Sequence, residues 1–398
     1  MQPGYERIAG ELERQLGKRG GGAAVCVYHR GVCVVDVWGG VRDADGRPWE
    51  RDTMAVSYST TKGVITTALH MCVDRGLLDY DDPVARHWPG FGRAGKQGIT
   101  VRDVLTHRSG LFNIRDLVDD ARRMLDWDYM VNALEQAEPA PIPARATAYQ
   151  ALTYGFLVGE LVRRVSGKSV AEFLRDEIAG PLGLDGLYIG APPAALARVA
   201  RLIRAAPPIA DADAHKRTAR RRRQRIFRTV EWALRGLGHP VDFERSAAAL
   251  APRGISTFDF SSDEVLAACI PAANGLFTAR SLARMYAALA AGGALDGTRL
   301  LSRETLARAT EIQCDHFDQI TVFNMRWRLG YHRVATLRGV PSRAFGHFGW
   351  GGSGAWADPS RNVSLGFVVN TGSGTPIGDL RIIRLNTALL RCVGRSRG

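Results

Sequence analysis

The chain has 398 residues, 45% of them hydrophobic and 23% charged, so a large buried core is affordable and a fibrous or wholly disordered chain is excluded. Its net charge of +13 is concentrated. Lys216, Arg217, Arg220, Arg221, Arg222, Arg223, Arg225 and Arg228 place eight positive charges within thirteen residues, leaving an ordinary balance for an enzyme elsewhere.

The first ten residues carry Glu6 and Arg7 and no apolar run of the kind a secretory signal needs, which gives the expectation of a cytoplasmic protein. No uncharged stretch is long enough to span a bilayer. Ile8, Leu12 and Leu16 share one face of a helix over 5–16. Two strands follow, AAVCVY and VCVVDVWGG, around a turn at His29-Arg30-Gly31. From 59 to 75 the pattern is helical and apolar on most faces, marking a central buried helix that Gly76 stops.

Residues 77–260 read as helices and polar loops, with three-to-four-residue periods over 154–165 and 170–178. The stretch 205–228 mixes prolines with the arginine run and reads as an exposed excursion. After a helix over 281–291 the chain turns strand-rich at 342–356 and 362–370, around a turn at Asp358-Pro359-Ser360, and a last helix covers 380–393. The fold class is therefore α/β (α+β), an antiparallel β-sheet flanked by helices plus an inserted, mainly helical lobe. The expected division is a sheet domain of 1–76 with 265–398 and a lobe of 77–264, with the active site between them.

The six cysteines are dispersed, with no C-x-x-C and no zinc-ligand spacing, so they read as buried free thiols and imply neither metal nor cofactor. The arginine run over 216–228 reads as a solvated loop. Contact with a membrane surface or nucleic acid is the sharper alternative, but aromatic interleaving is sparse, and no nucleic-acid partner is expected.

The chemistry starts at Ser59-Thr60-Thr61-Lys62. Serine is a poor nucleophile without a base, and residues three apart on a helix share a face, so Lys62 can reach the Ser59 hydroxyl. A helix start also favours developing negative charge at Ser59. The string S-x-x-K is weak alone, yet of the five lysines only Lys62 has a serine three residues before it. An ordinary helix cap followed by a surface lysine is the bland alternative. No G-x-S-x-G elbow is present, which argues against an α/β-hydrolase.

Context then decides. The segment Gly76-Leu77-Leu78-Asp79-Tyr80-Asp81-Asp82-Pro83-Val84 and the segment Ile99-Thr100-Val101-Arg102-Asp103-Val104-Leu105-Thr106-His107-Arg108-Ser109-Gly110-Leu111 follow the S-x-x-K string. In order and spacing the chain resembles the serine β-lactamase and penicillin-binding protein superfamily, especially its class C-like branch, departing only at Tyr80 and Val104, where leucine is usual.

The resemblance implies that Tyr149, opening Tyr149-Gln150-Ala151-Leu152-Thr153-Tyr154-Gly155, joins Lys62 in proton transfer, as in the Y-x-x subgroup called family VIII carboxylesterases. Such a phenol is expected to need a pKa lowered by neighbouring cations. The resemblance also aligns His347-Phe348-Gly349-Trp350-Gly351-Gly352 with the third, K-T-G, motif. It implies an oxyanion hole from the N–H groups of Ser59 and Trp350, and substrate contacts at His347, Phe348, Gly349, Trp350 and Gly351.

Ala151 stands where an asparagine grips the β-lactam side chain, and His347 replaces the carboxylate-binding lysine. The expected activity is thus hydrolysis of short-chain carboxylic esters, a small-molecule substrate. A β-lactamase, D-aminopeptidase or acyltransferase on the same Ser-Lys-Tyr centre is the alternative. His107 is expected to hold a loop near the sheet.

Overall fold

The structure, a computed structural model, describes residues 1–144, 146–203, 242–372 and 378–394. The arginine run over 216–228 lies outside them. A six-stranded antiparallel sheet carries Val32–Gly40, Gly22–His29, Val363–Val369, Gly354–Asp358, Phe345–Phe348 and His332–Arg333 in that order. The first two strands form the expected hairpin, with Arg30 at φ 52° and Gly31 at φ 78° in its turn.

Strand Gly22–His29 is buried on both faces, which explains why it reads as a nearly continuous apolar run. Ala24, Cys26 and Tyr28 join the large core, whereas Ala23, Val25 and Val27 join a second core with Ile8, Leu12, Ile382 and Leu385. Helices Glu6–Arg19 and Leu380–Val393 supply that second core. Helix Ala279–Ala290 covers the opposite face, where Gly366 lets it approach closely: a Cβ there would overlap the Ala279 carbonyl and the Ala283 N–H.

Helix Thr60–Asp74 runs through the large core with every residue but Asp74 buried, and Gly76 ends it at φ 70°. It packs on helix Thr153–Ser166. Gly155 of that helix lies against Pro271 and Ala272 so closely that any side chain would displace backbone. A smaller sheet joins Met54–Val56, Leu187–Tyr188, Val199–Ala200 and Leu276–Phe277. Its strands are two or three residues long, too short for alternation to register in the sequence.

None of the six cysteines is in a disulfide, and three of them are buried and three half-buried. Among the described residues no helix is long and apolar enough to cross a membrane, and no group of three His, Cys, Asp or Glu could hold a metal.

Candidate active site

Strand Met54–Val56 delivers the chain into a strained turn. Tyr58 adopts φ 44°, a left-handed conformation unusual for a bulky residue, and Ser59 follows as the N-cap of helix Thr60–Asp74. One turn on, the fully buried Lys62 points its amine at three oxygens. Its Nζ lies 3.0 Å from Ser59 Oγ, 2.6 Å from the Ala151 carbonyl and 3.1 Å from the Ala272 carbonyl. Burial drives the Lys62 pKa well below the ordinary lysine value. A neutral amine has two N–H groups and one lone pair. In that neutral form the two carbonyls would take the N–H groups, leaving the lone pair for the serine hydroxyl.

Tyr149 arrives from the other side, its hydroxyl donating to Ser59 Oγ at 2.9 Å. Its pKa is raised, first by burial, with Asp318 adding to the shift and the Ser59 hydrogen bond opposing it. This corrects the expectation of a phenol made acidic by nearby cations. The same burial shifts the two groups in opposite directions, Lys62 toward the neutral amine and Tyr149 toward the protonated phenol.

What holds Tyr149 had no signal in the sequence. Asp318, itself buried, accepts the Tyr149 N–H at 3.3 Å, the Thr147 hydroxyl at 2.8 Å and the Trp327 indole N–H at 3.3 Å. Trp327 stacks on the Tyr149 ring at 5.6 Å and 11°. His107 accepts the Gln150 N–H on Nδ1 at 3.2 Å and packs its ring between Tyr149, Tyr154 and Trp327. It therefore holds the loop that carries the tyrosine. Burial pushes its pKa well down, so it is the neutral imidazole needed to accept that bond.

The third motif closes the site. Gly349 sits at the end of strand Phe345–Phe348, and a Cβ there would strike the Ser57 carbonyl; Gly351 faces the Tyr58 ring. These glycines lay the turn directly on the Tyr58-Ser59 turn. Among the described residues neither the Ser59 N–H nor the Trp350 N–H donates to a protein acceptor. The turn is anchored from behind by Arg381, which donates to the carbonyls of Gly351 and Thr371 and pairs with Asp379 at 2.7 Å.

Beside Ser59 opens a cavity of ≈ 480 Å³ lined by Tyr58, Ser59, Tyr149, Ala151, Leu152, Ala247, Leu250, Ala251, Ile255, Phe258, Phe260, Ala273 and Trp350. Trp350 stands at its edge, 45% exposed. Of the five residues expected to touch substrate, Trp350 is among the described residues that line it, and His347, Phe348, Gly349 and Gly351 are not. Phe348 points to the opposite face of its strand, into the core with Trp356 and Ile382, as strand alternation requires. His347 is buried behind Tyr149, its ring 6.4 Å away, and its Nδ1–H is directed at the Phe348 carbonyl.

This fold, with a half-buried serine joined to a buried lysine and tyrosine beside a glycine-rich strand end, defines a serine hydrolase of the penicillin-recognising type. Residues 10–388 match the Beta-lactamase family model, and the chain belongs to that family. It is 40% identical over 357 residues to the "Esterase/beta-lactamase LipL" of Mycobacterium tuberculosis, covering 89% of this chain and 78% of the relative. Two solved structures each superpose over 98% of both chains. One is a family VIII carboxylesterase (TM-score 0.82, 32% identity), the other a penicillin-binding protein homolog from Caulobacter crescentus (TM-score 0.81, 33% identity).

Proposed function

We propose that the protein is a carboxylesterase that hydrolyses short-chain carboxylic esters through an acyl-enzyme on Ser59. The observation that carries the reading is that Ser59 Oγ lies 3.0 Å from the buried Lys62 amine and 2.9 Å from the Tyr149 hydroxyl, on the wall of a cavity whose described lining is uncharged.

In this reading Ser59 Oγ attacks the ester carbonyl as its proton passes to the Lys62 lone pair. The carbonyl oxygen becomes an oxyanion facing the N–H groups of Ser59 and Trp350, two donors of the kind that contribute several kcal/mol to such steps, about 3–4 kcal/mol each. The C–O bond to the alcohol breaks, the departing oxygen takes the Tyr149 proton, and the resulting phenolate is reprotonated from the Lys62 ammonium. Water then replaces the alcohol, gives its proton back along the same route and releases the acid, with Ser59 regaining its hydrogen.

A neutral ester is favoured over a penicillin or peptide by what the cavity lacks. Among the described residues its lining has no cationic side chain to meet a carboxylate, and Ala151 offers no side-chain amide. The names of LipL and of the family VIII carboxylesterase support the same assignment. The test is p-nitrophenyl butyrate hydrolysis by the wild-type chain and by Ser59→Ala. The variant should fold and lose turnover; retained turnover removes Ser59 from the mechanism. Nitrocefin and a D-amino-acid amide assayed alongside should be turned over more slowly than the ester.

A further inference from the structure

Resting on the ester reading above, we infer that residues 247–260 form the selectivity wall of the site, and that the substrate carries an uncharged hydrocarbon group longer than acetyl. Ala247, Leu250, Ala251, Ile255, Phe258 and Phe260 all come from this one stretch and supply nearly half of the described cavity lining. All are apolar. Of the polar groups that line the rest of the cavity, the Ser59 and Tyr149 hydroxyls are hydrogen-bonded to each other.

A hydrocarbon group is the ligand chemistry that gains from such a wall, by up to about fourfold in binding for each methylene taken out of water. A carboxylate or ammonium lodged against these six side chains would lose its hydration, and none of the six offers a polar group to replace it.

The wall is built, not incidental. Helix Phe243–Leu250 starts with Asp242 accepting the Arg245 N–H at 2.9 Å. The Arg245 guanidinium lies 4.6 Å over the Phe112 ring and donates to Gln319 at 3.0 Å. Gln319 in turn donates its backbone N–H to the Thr147 carbonyl at 2.9 Å, tying the wall to the stretch that carries Tyr149. Beyond the helix, Arg115 holds the Ala251 carbonyl at 2.7 Å and the Ala121 N–H holds that of Arg253 at 2.8 Å. The far end is an aromatic relay: Phe258 meets Phe260 edge-on at 5.0 Å, and Phe260 meets Tyr58 at 5.2 Å. Tyr58 immediately precedes the serine, so the wall reaches the reacting centre itself.

The proposal is tested with p-nitrophenyl acetate, butyrate and hexanoate, and with a matching series of alkyl butyrates that places the chain on the alcohol. In at least one series kcat/KM should rise two- to fourfold per methylene. Leu250→Trp, which fills the cavity, should cut the hexanoate-to-acetate (or hexyl-to-methyl) ratio of kcat/KM at least tenfold. Phe258→Ala, which enlarges the cavity, should move the optimum to longer chains. Ser59-dependent hydrolysis with a flat profile in both series, or ratios that neither variant moves, would overturn the wall while leaving the esterase intact. Absence of turnover on every ester would overturn both.

Discussion

The Asp318 carboxylate sits directly behind Tyr149: one oxygen accepts the Tyr149 N–H at 3.3 Å and the other the Thr147 hydroxyl at 2.8 Å. The first oxygen also takes the N–H groups of Ile320 and Thr321, and the second the Trp327 indole, so one buried group fixes both the backbone and the stacking partner of the proposed acid. Asp318→Asn replaces one acceptor oxygen with a donor and leaves buried donors unpaired, at about 1–3 kcal/mol each. We expect a lower Tm and a kcat reduced ten- to a hundredfold, with KM changed far less. Steady-state kinetics beside thermal unfolding checks both.

Arg381 plays the matching part for the glycine-rich turn. Its fork holds Gly351 and Thr371 while its charge is balanced by Asp379. Lysine keeps the charge but not the fork, so Arg381→Lys should fold and lose about tenfold in kcat through a loosened Trp350 N–H. Arg381→Ala leaves Asp379 largely buried without its partner and should cost about 3–5 kcal/mol in denaturant unfolding.

Gly349→Ala tests the closeness of that turn to the serine. The added methyl would strike the Ser57 carbonyl, which is backbone and cannot rotate away. A stability loss of about 1–3 kcal/mol is expected, together with a fall in kcat larger than that of any substitution within residues 247–260. Urea melts and ester kinetics on the purified variant measure the two effects.

The pH profile follows from two opposite shifts. Lys62 must be neutral to accept the serine proton, and burial lowers its pKa, so activity persists below the ordinary lysine range and is lost as pH falls through the depressed value. Tyr149 must be protonated to serve the leaving alcohol, and burial raises its pKa, so no loss from the phenol appears below the ordinary tyrosine range. A log kcat/KM plot over about pH 5 to 10 should therefore rise and then stay level. A fall beginning below the ordinary tyrosine value would show an acidified phenol instead.

The hairpin over 22–40, the helix behind Ser59 and the glycine-rich strand end were legible because each is written in adjacent residues: alternation, periodicity, a turn glycine. Tyr149 was legible through its place in a motif series, but its protonation was not, since burial by Trp327, His107 and the Thr153–Ser166 helix is a property of the assembled core. Asp318 and Arg381 carry no local mark; their partners lie 169 and 30 residues away in the chain. The stretch 247–260 reads as one more helical run ending in a loop, and only its seat opposite Ser59 distinguishes it. Phe348 was misplaced because a motif aligns residues without saying to which face of the strand each side chain points.

The most direct test of the account is intact-mass and peptide analysis after treatment with a fluorophosphonate. The account predicts a single adduct on Ser59, formed quickly by the wild-type chain and at least a hundredfold more slowly by Lys62→Met. Labelling at another serine, or equally fast labelling without the Lys62 amine, would contradict it.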